Sequence, residues 1–470
     1  MASPDRRTRA LAVGALLWAV ACGGGGAGAP DADADASEVG TADTATPTPR
    51  WARQVVARGM GGRHVALALG PDGQPRVAWF ASEGEAAGPC DALGADPPPA
   101  VTWPLWYAEG GEEGFSVERA ADVLLVGSPV GLDLGVQPDG ASVIATLSGE
   151  PVVALHYCGA SDVGYYLRAG ADDWQATTAV ATSGEAASGE PASDFGDVVG
   201  YWPALAFDAS GQPAIAYKDV HSGSIQSDDF RRADLELAWR EGGAWQALPV
   251  DVGQGAGSFS DLVFDAQDRP VIASFNPRDD RTLPQRGLWL YRSADAGAAW
   301  ERVRLFGGET TERPSLAVDP TSGALVVAWY DAGDRLPYLA RLEAGADFSS
   351  ASAWAVEEIG DHRFDEGEHP SLAFDPSGRL ALAYARCARA TDPAGQCNPS
   401  VDAVVFAWRD TDGGFQREVV DAGETAGPCG AWPNLAFDAG GAAWVAYHCA
   451  TLEAGELTDE VRAARRDALP

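Results

Sequence analysis

One arrangement of apolar and polar positions recurs along this chain. A short apolar run, a polar turn and a second apolar run follow one another, most plainly from Pro370 to Tyr384 (Pro-Ser-Leu-Ala-Phe-Asp-Pro-Ser-Gly, then Leu-Ala-Leu-Ala-Tyr). The arrangement returns at Pro203–Tyr217, Phe259–Phe275, Pro314–Tyr330 and Pro433–Tyr447, with weaker copies at His64–Phe80 and Asp133–Leu147. Each copy reads as a β-hairpin. In Asp375-Pro-Ser-Gly378 the Asp side chain can hold the following backbone, Pro presets φ, and Gly suits the last turn position. Self-similarity of this kind, repeating about every 55 to 75 residues, sets the architecture.

The hairpin is half of a larger unit. After Leu380–Tyr384 come a loop, an apolar run at Val401–Trp408, a polar turn at Asp410–Gly414 and a last run at Gln416–Val420. The preceding copy repeats the plan at Leu316–Val318, Val326–Tyr330, Pro337–Arg341 and Trp354–Ile359. The runs are apolar on both sides, as expected of sheets covered on both faces. Four-stranded antiparallel sheets packed radially make an all-β fold, the β-propeller. Seven copies predict seven blades. The last copy lacks a fourth strand beyond Glu460–Ala464, and Trp51–Val56 has no partner in the first. The N-terminal strand is therefore expected to complete the last blade, hiding an otherwise open edge. Residues 129–157 offer three short runs (132–136, 141–147 and 151–157) where two are expected, so the second blade carries an extra strand or its boundary lies elsewhere.

Composition agrees with this plan. Gly 56 and Pro 31 in 470 residues favour many turns over long helices. The formal charge of −35 argues against nucleic acid, whose phosphates need clustered Lys and Arg. No phosphate-binding loop, dinucleotide fingerprint, HExxH or GxSxG is present, and no cysteine or histidine grouping has zinc spacing. No cofactor or metal is expected. Asp228-Asp229 and Asp279-Asp280 are the places where Ca²⁺ would bind, without EF-hand spacing.

The first residues read as an address. Arg6, Arg7 and Arg9 precede an apolar run, Ala10–Ala21, too short to span a bilayer. It ends in Ala19-Val20-Ala21-Cys22, which resembles the lipobox of bacterial lipoproteins, with Ala19 where Leu is usual. The resemblance implies lipidation at Cys22, export to the outer membrane (Gly23 is not Asp) on its periplasmic or outer side, and contact with the membrane through that lipid only. Secretion after ordinary cleavage is the alternative. Residues 1–22 are then a signal peptide, 23–50 a disordered tether rich in Gly, Ala, Asp, Thr and Pro, and 51–470 the propeller, expected to be monomeric. Six further cysteines fit disulfides in an exported chain and admit many pairings. The expected ones are Cys387–Cys397 across one loop and Cys429–Cys449 within one repeat, leaving Cys90–Cys158.

Ser293-Ala-Asp295-Ala-Gly297-Ala-Ala-Trp300 resembles the Asp-box of sialidases and related BNR-repeat propellers, with Ala299 in place of Thr. Looser likenesses are Asp410–Phe415 and Arg240–Trp245. The box is a structural hairpin in that family and implies fold, not activity.

Candidate chemistry collects where the repeats differ. Loops that lead into the first strand and leave the second share one face. Arg63, Trp202, Arg313, His369 and Trp432 stand before the first strand. His156, Lys218, Asp219, His221, Asn276, Asp331, Arg386 and His448 stand at or after the end of the second. The binding residues expected at a channel mouth are thus Trp202, Arg313, His369, Trp432, His156, Asp219, His221, Asp331, Arg386 and His448, with no catalytic role. Their ligand would be a glycan, peptide or protein. One alternative is a sialidase-like glycoside hydrolase, with Arg63, Arg313 and Arg386 on a carboxylate, Tyr330 as nucleophile and Asp331 as acid. The other is a purely structural surface protein.

Overall fold

The computed structural model describes residues 50–89, 99–125, 128–138, 149–157, 162–180, 198–220, 233–241, 243–252, 255–277, 286–293, 297, 299–308, 313–387, 402–422, 429–453 and 455–469. They form seven antiparallel sheets. Blade one holds β2 (Arg63–Leu69), β3 (Pro75–Phe80), β5 (Pro99–Gly111) and β6 (Gly114–Leu125), with β4 (Glu85–Pro89) paired to the first part of β5. Blade two is β7 (Leu132–Val136), β8 (Pro151–Tyr157), β9 (Asp162–Gly170) and β10 (Asp173–Val180). Blade three is β11 (Val198–Phe207), β12 (Pro213–Val220), β13 (Asp234–Glu241) and β14 (Ala244–Asp251). Blade four is β15 (Ser258–Phe264), β16 (Pro270–Asn276), β17 (Gly287–Ser293) and β18 (Trp300–Phe306). Blade five is β19 (Ser315–Val318), β20 (Leu325–Asp331), β21 (Leu336–Leu342) and β22 (Ala355–Glu358). Blade six is β23 (Asp365–Phe374), β24 (Leu380–Cys387), β25 (Ala403–Arg409) and β26 (Phe415–Asp421). Blade seven is β27 (Cys429–Phe437), β28 (Ala443–Glu453), β29 (Glu456–Arg466) and, last, β1 (Trp51–Arg58).

The N-terminal strand thus closes the ring, with Trp51 opposite Arg466 and Arg58 opposite Glu460. Trp51 packs edge-on against Phe406 of blade six and donates from Nε1 to Glu418, so the closure also stitches two blades together. The second strand of each blade explains the apolar runs. Along β12 and β16 every residue is buried, because both faces meet neighbouring blades. The ambiguity at 129–157 resolves through pairing. Leu132 faces Leu155 and Val136 faces Pro151, so the strand returning beside β7 is 151–157; the run at 141–147 lies outside the described residues.

The Asp-containing turns are structural. The Oδ1 atoms of Asp208, Asp265, Asp375 and Asp438 each accept the amide hydrogen four residues on, at 2.8–3.0 Å. In the box at 293–300, Ser293 Oγ accepts the Gly297 amide at 2.5 Å, and Ser293 pairs with Trp300 across β17 and β18. Cys429 and Cys449 are bonded, as expected from one repeat. Cys387 is also disulfide-bonded. Cys22, Cys90, Cys158 and Cys397 lie outside the described residues, as do the signal, the tether up to residue 49 and the aspartate pairs considered for Ca²⁺.

Candidate functional site

The seven innermost strands surround a cavity of about 310 Å³ at one end of the channel. Going round the ring, the equivalent positions are His64, Gly131, Trp202, Phe259, Arg313, His369 and Trp432, and all seven line the cavity. Five of these residues share an uncommon backbone. His64 (φ 54°), Trp202 (49°), Phe259 (53°), His369 (51°) and Trp432 (49°) lie in the left-handed region, and Gly131 has φ 139°. Among the other described residues only Asp172, Asp268 and Arg335 are non-glycine with positive φ.

Strand pairing explains the conformation. In blade six, Glu368 pairs with Ala385 and Ser371 with Ala383, so two residues, His369 and Pro370, stand opposite Tyr384. The same shift places Trp432 and Pro433 between the pairs Ala431–His448 and Asn434–Ala446. It recurs between Arg63 and Ala66 and between Ser258 and Asp261. This is a β-bulge whose first residue is left-handed, a place that normally selects glycine. A bulky side chain there costs about 1–3 kcal/mol. Five blades accept that cost and present an aromatic or imidazole ring instead.

The rings form two walls. His369, Trp432 and His64 run in sequence, with centroids 5.5 and 5.3 Å apart. Trp202 and Phe259 pack at 4.9 Å. Polar groups lie between the walls. Arg313 Nη2 donates to Asp261 at 2.7 Å and to Asp133 at 2.9 Å. Burial raises the pKa of Asp261 in spite of its arginine partner. Behind Trp202, fully buried Lys218 donates from Nζ to Ser258 Oγ (2.9 Å) and Gly255 O (3.1 Å), and burial lowers its pKa to about 7.

Two residues further along, the same strands tie blade to blade. Asp133, Asp261, Ser315 and Ser371 accept the amides of Leu205, Leu316, Leu372 and Leu435, each in the next blade, at 2.6–2.9 Å. Asn434 Nδ2 donates to Val65 O at 2.7 Å, from the last blade to the first. The serine of the repeated Pro-Ser-Leu is therefore a strap between blades.

Of the residues expected at the mouth, Trp202, Arg313, His369 and Trp432 come together. His448 and Arg386 line a smaller cleft beside them, shared with His369. His156 and Asp219 do not reach the cavity. His156 is buried, donating to Val199 O at 2.7 Å with its ring 4.9 Å from Tyr201, and Asp219 is buried opposite Asp234. Asp331 holds its own turn, accepting from the Gly333 amide. These positions fail because side chains alternate along a strand, so nearness to its end does not aim a side chain at the axis. His221 lies outside the described residues. His64, Phe259, Asp133 and Asp261 were missed. Blades one and four lack the proline that marks the entry to the innermost strand, so Arg63 took the place of His64. Arg63 instead donates to Ser82 O and covers Trp103. The three arginines of the hydrolase alternative share none of the described cavities, and Tyr330 donates to Asp365 at 2.8 Å.

Fold and site define a seven-bladed β-propeller with an aromatic-walled mouth. No family model and no curated protein matches the chain. Solved structures similar to it include a protein of unknown function from Dyadobacter fermentans (13% identity, 90% of this chain and 100% of that one, TM-score 0.46). Others are the polysaccharide lyase Uly1 (10%, 87% and 90%, 0.48) and the endosialidase of phage phi92 (9%, 90% and 70%, 0.40). Likeness at this level carries no functional argument.

Proposed function

We propose that this protein is a non-catalytic saccharide-binding propeller, exported as a lipoprotein and held to the outer membrane through Cys22. The observation that carries the binding reading is the ring of His64, Trp202, Phe259, His369 and Trp432, all in one strained bulge and all lining one cavity. Strain of this kind collects at functional sites. The chemistry suits a sugar. Aromatic faces take the apolar face of a pyranose ring, and Arg313, Asp133 and Asp261 between them offer donors and acceptors to its hydroxyls. The address rests on Arg6, Arg7, Arg9 and Ala19-Val20-Ala21-Cys22.

A glycan and peptide array probed with the full chain tests the binding reading. The expected result is glycan binding that falls about tenfold or more in Trp202→Ala and in Trp432→Ala, the loss of one stacked ring. Peptide hits without glycan hits, or glycan binding indifferent to both changes, would overturn it. Radiolabelled palmitate incorporation that persists in Cys22→Ser would sink the lipoprotein assignment.

A further inference from the structure

Beside the mouth, between blades six and seven, lies a cleft of about 90 Å³ lined by Glu368, His369, Arg386, Asp402, Gly430 and His448, among others. His369 belongs to both cleft and central cavity, and the His448 ring lies 6.0 Å from that of Trp432, so the two spaces adjoin. The cleft has room for one substituent and not for a second sugar ring.

Two polar atoms on its lining residues lack partners among the described residues. Asp402 Oδ1 is buried and accepts no hydrogen bond, and Arg386 Nε is buried and donates none. Buried polar atoms are nearly always satisfied, and an exception calls for an explanation. The carboxyl of Asp402 feels its isolation, for burial raises its pKa to about 7. The other charged and titratable groups that line the cleft are Glu368 and His369 from β23, Arg386 from β24 and His448 from β28, the last bonded to Asp459 at 2.8 Å. A buried carboxyl oxygen without a donor, in a chain of formal charge −35, favours a cation that brings donors.

We infer that this cleft is a subsite for a free amino group, as ammonium, on the saccharide held at the mouth. The inference rests on the saccharide reading. An ammonium supplies three donors and a positive charge, which satisfies Asp402 Oδ1 and favours its ionised form. Binding at neutral pH then releases the proton that Asp402 carries in the empty cleft. An N-acetyl group loses the charge, and a plain hydroxyl brings one donor without charge.

Calorimetry on the full chain at pH 7 with tetramers of glucosamine, N-acetylglucosamine and glucose tests this. The glucosamine tetramer should bind about tenfold more tightly than the others, the worth of one charge-assisted hydrogen bond. Its heat should vary with the ionisation enthalpy of the buffer, reporting release of a proton on binding. Asp402→Asn should remove the preference and the proton release together, leaving the other two tetramers unchanged. Equal affinity for all three, weakened in each case by Trp432→Ala, would overturn the amine subsite while the mouth stands. No binding of any tetramer, or binding indifferent to Trp432→Ala, would overturn mouth and subsite alike.

Discussion

Arg313 and Asp133, 180 residues apart in the chain, meet across the channel mouth at 2.9 Å. One guanidinium thereby joins blade five to blade two, and through Asp261 to blade four. Removing it would leave two carboxylates facing each other without a cation. Arg313→Ala should lower stability by about 2–3 kcal/mol, less than for a fully buried pair because the site keeps access to cavity water. Adding Asp133→Asn and Asp261→Asn should recover part of the loss. Urea denaturation of the variants checks both.

The left-handed bulge makes an unusual ordering testable at His369. In an ordinary strand Ala is preferred to Gly, but at φ 51° a Cβ is strained. His369→Gly should therefore be more stable than His369→Ala by about 1 kcal/mol. The opposite order in thermal unfolding would show that the bulge relaxes once the ring is gone.

Lys218 gives stability a pH dependence of known sign. Its pKa falls from 10.5 to about 7 on folding, through burial. Between those values the unfolded chain binds more protons, so stability from this group rises with pH across that window and is flat below about 7. Lys218→Met should flatten the rise between pH 7 and 10. An unchanged profile in denaturant titrations at stepped pH would contradict the assignment.

The straps predict a cost at serine. Ser371→Ala would leave the Leu435 amide, now bonded at 2.9 Å, without its acceptor. About 1–2 kcal/mol should be lost, and hydrogen exchange at Leu435 should accelerate. Protection that persists in the variant would show that the bond is dispensable.

Closure by β1 predicts the effect of a deletion. Without residues 51–58, the amides and carbonyls of β29 become an open edge beside blade six. The shortened chain should aggregate at concentrations where the whole chain stays dispersed, as light scattering would show.

Much of the fold was legible because turns and blade packing are local. Asp375-Pro-Ser-Gly378 names its own turn, and the apolar runs on both sides of it announce a sheet covered on both faces. Blade two was harder. Its hairpin pairs 132–136 with 151–157, and an apolar run at 141–147 looks equally strand-like in sequence. Half of the site was legible for a similar reason, since a proline directly after Trp202, Arg313, His369 and Trp432 marks the entry to the innermost strand. Val65 and Ser260 carry no such mark, and His64 and Phe259 were missed with them.

By itself, then, the amino-acid sequence determined the seven-fold plan, the Asp turns, the N-terminal closure and one disulfide, because each follows from neighbours a few residues apart or from a repeated unit. Tertiary structure alone decided which polar residues face the axis. His156 and Trp202 occupy adjoining blades, yet one is buried in the wall and the other lines the cavity. The difference lies in the sense of a bulge and the alternation of a strand. A shift of one residue turns a side chain from cavity to core, and only the pairing of strands distant in sequence settles that register.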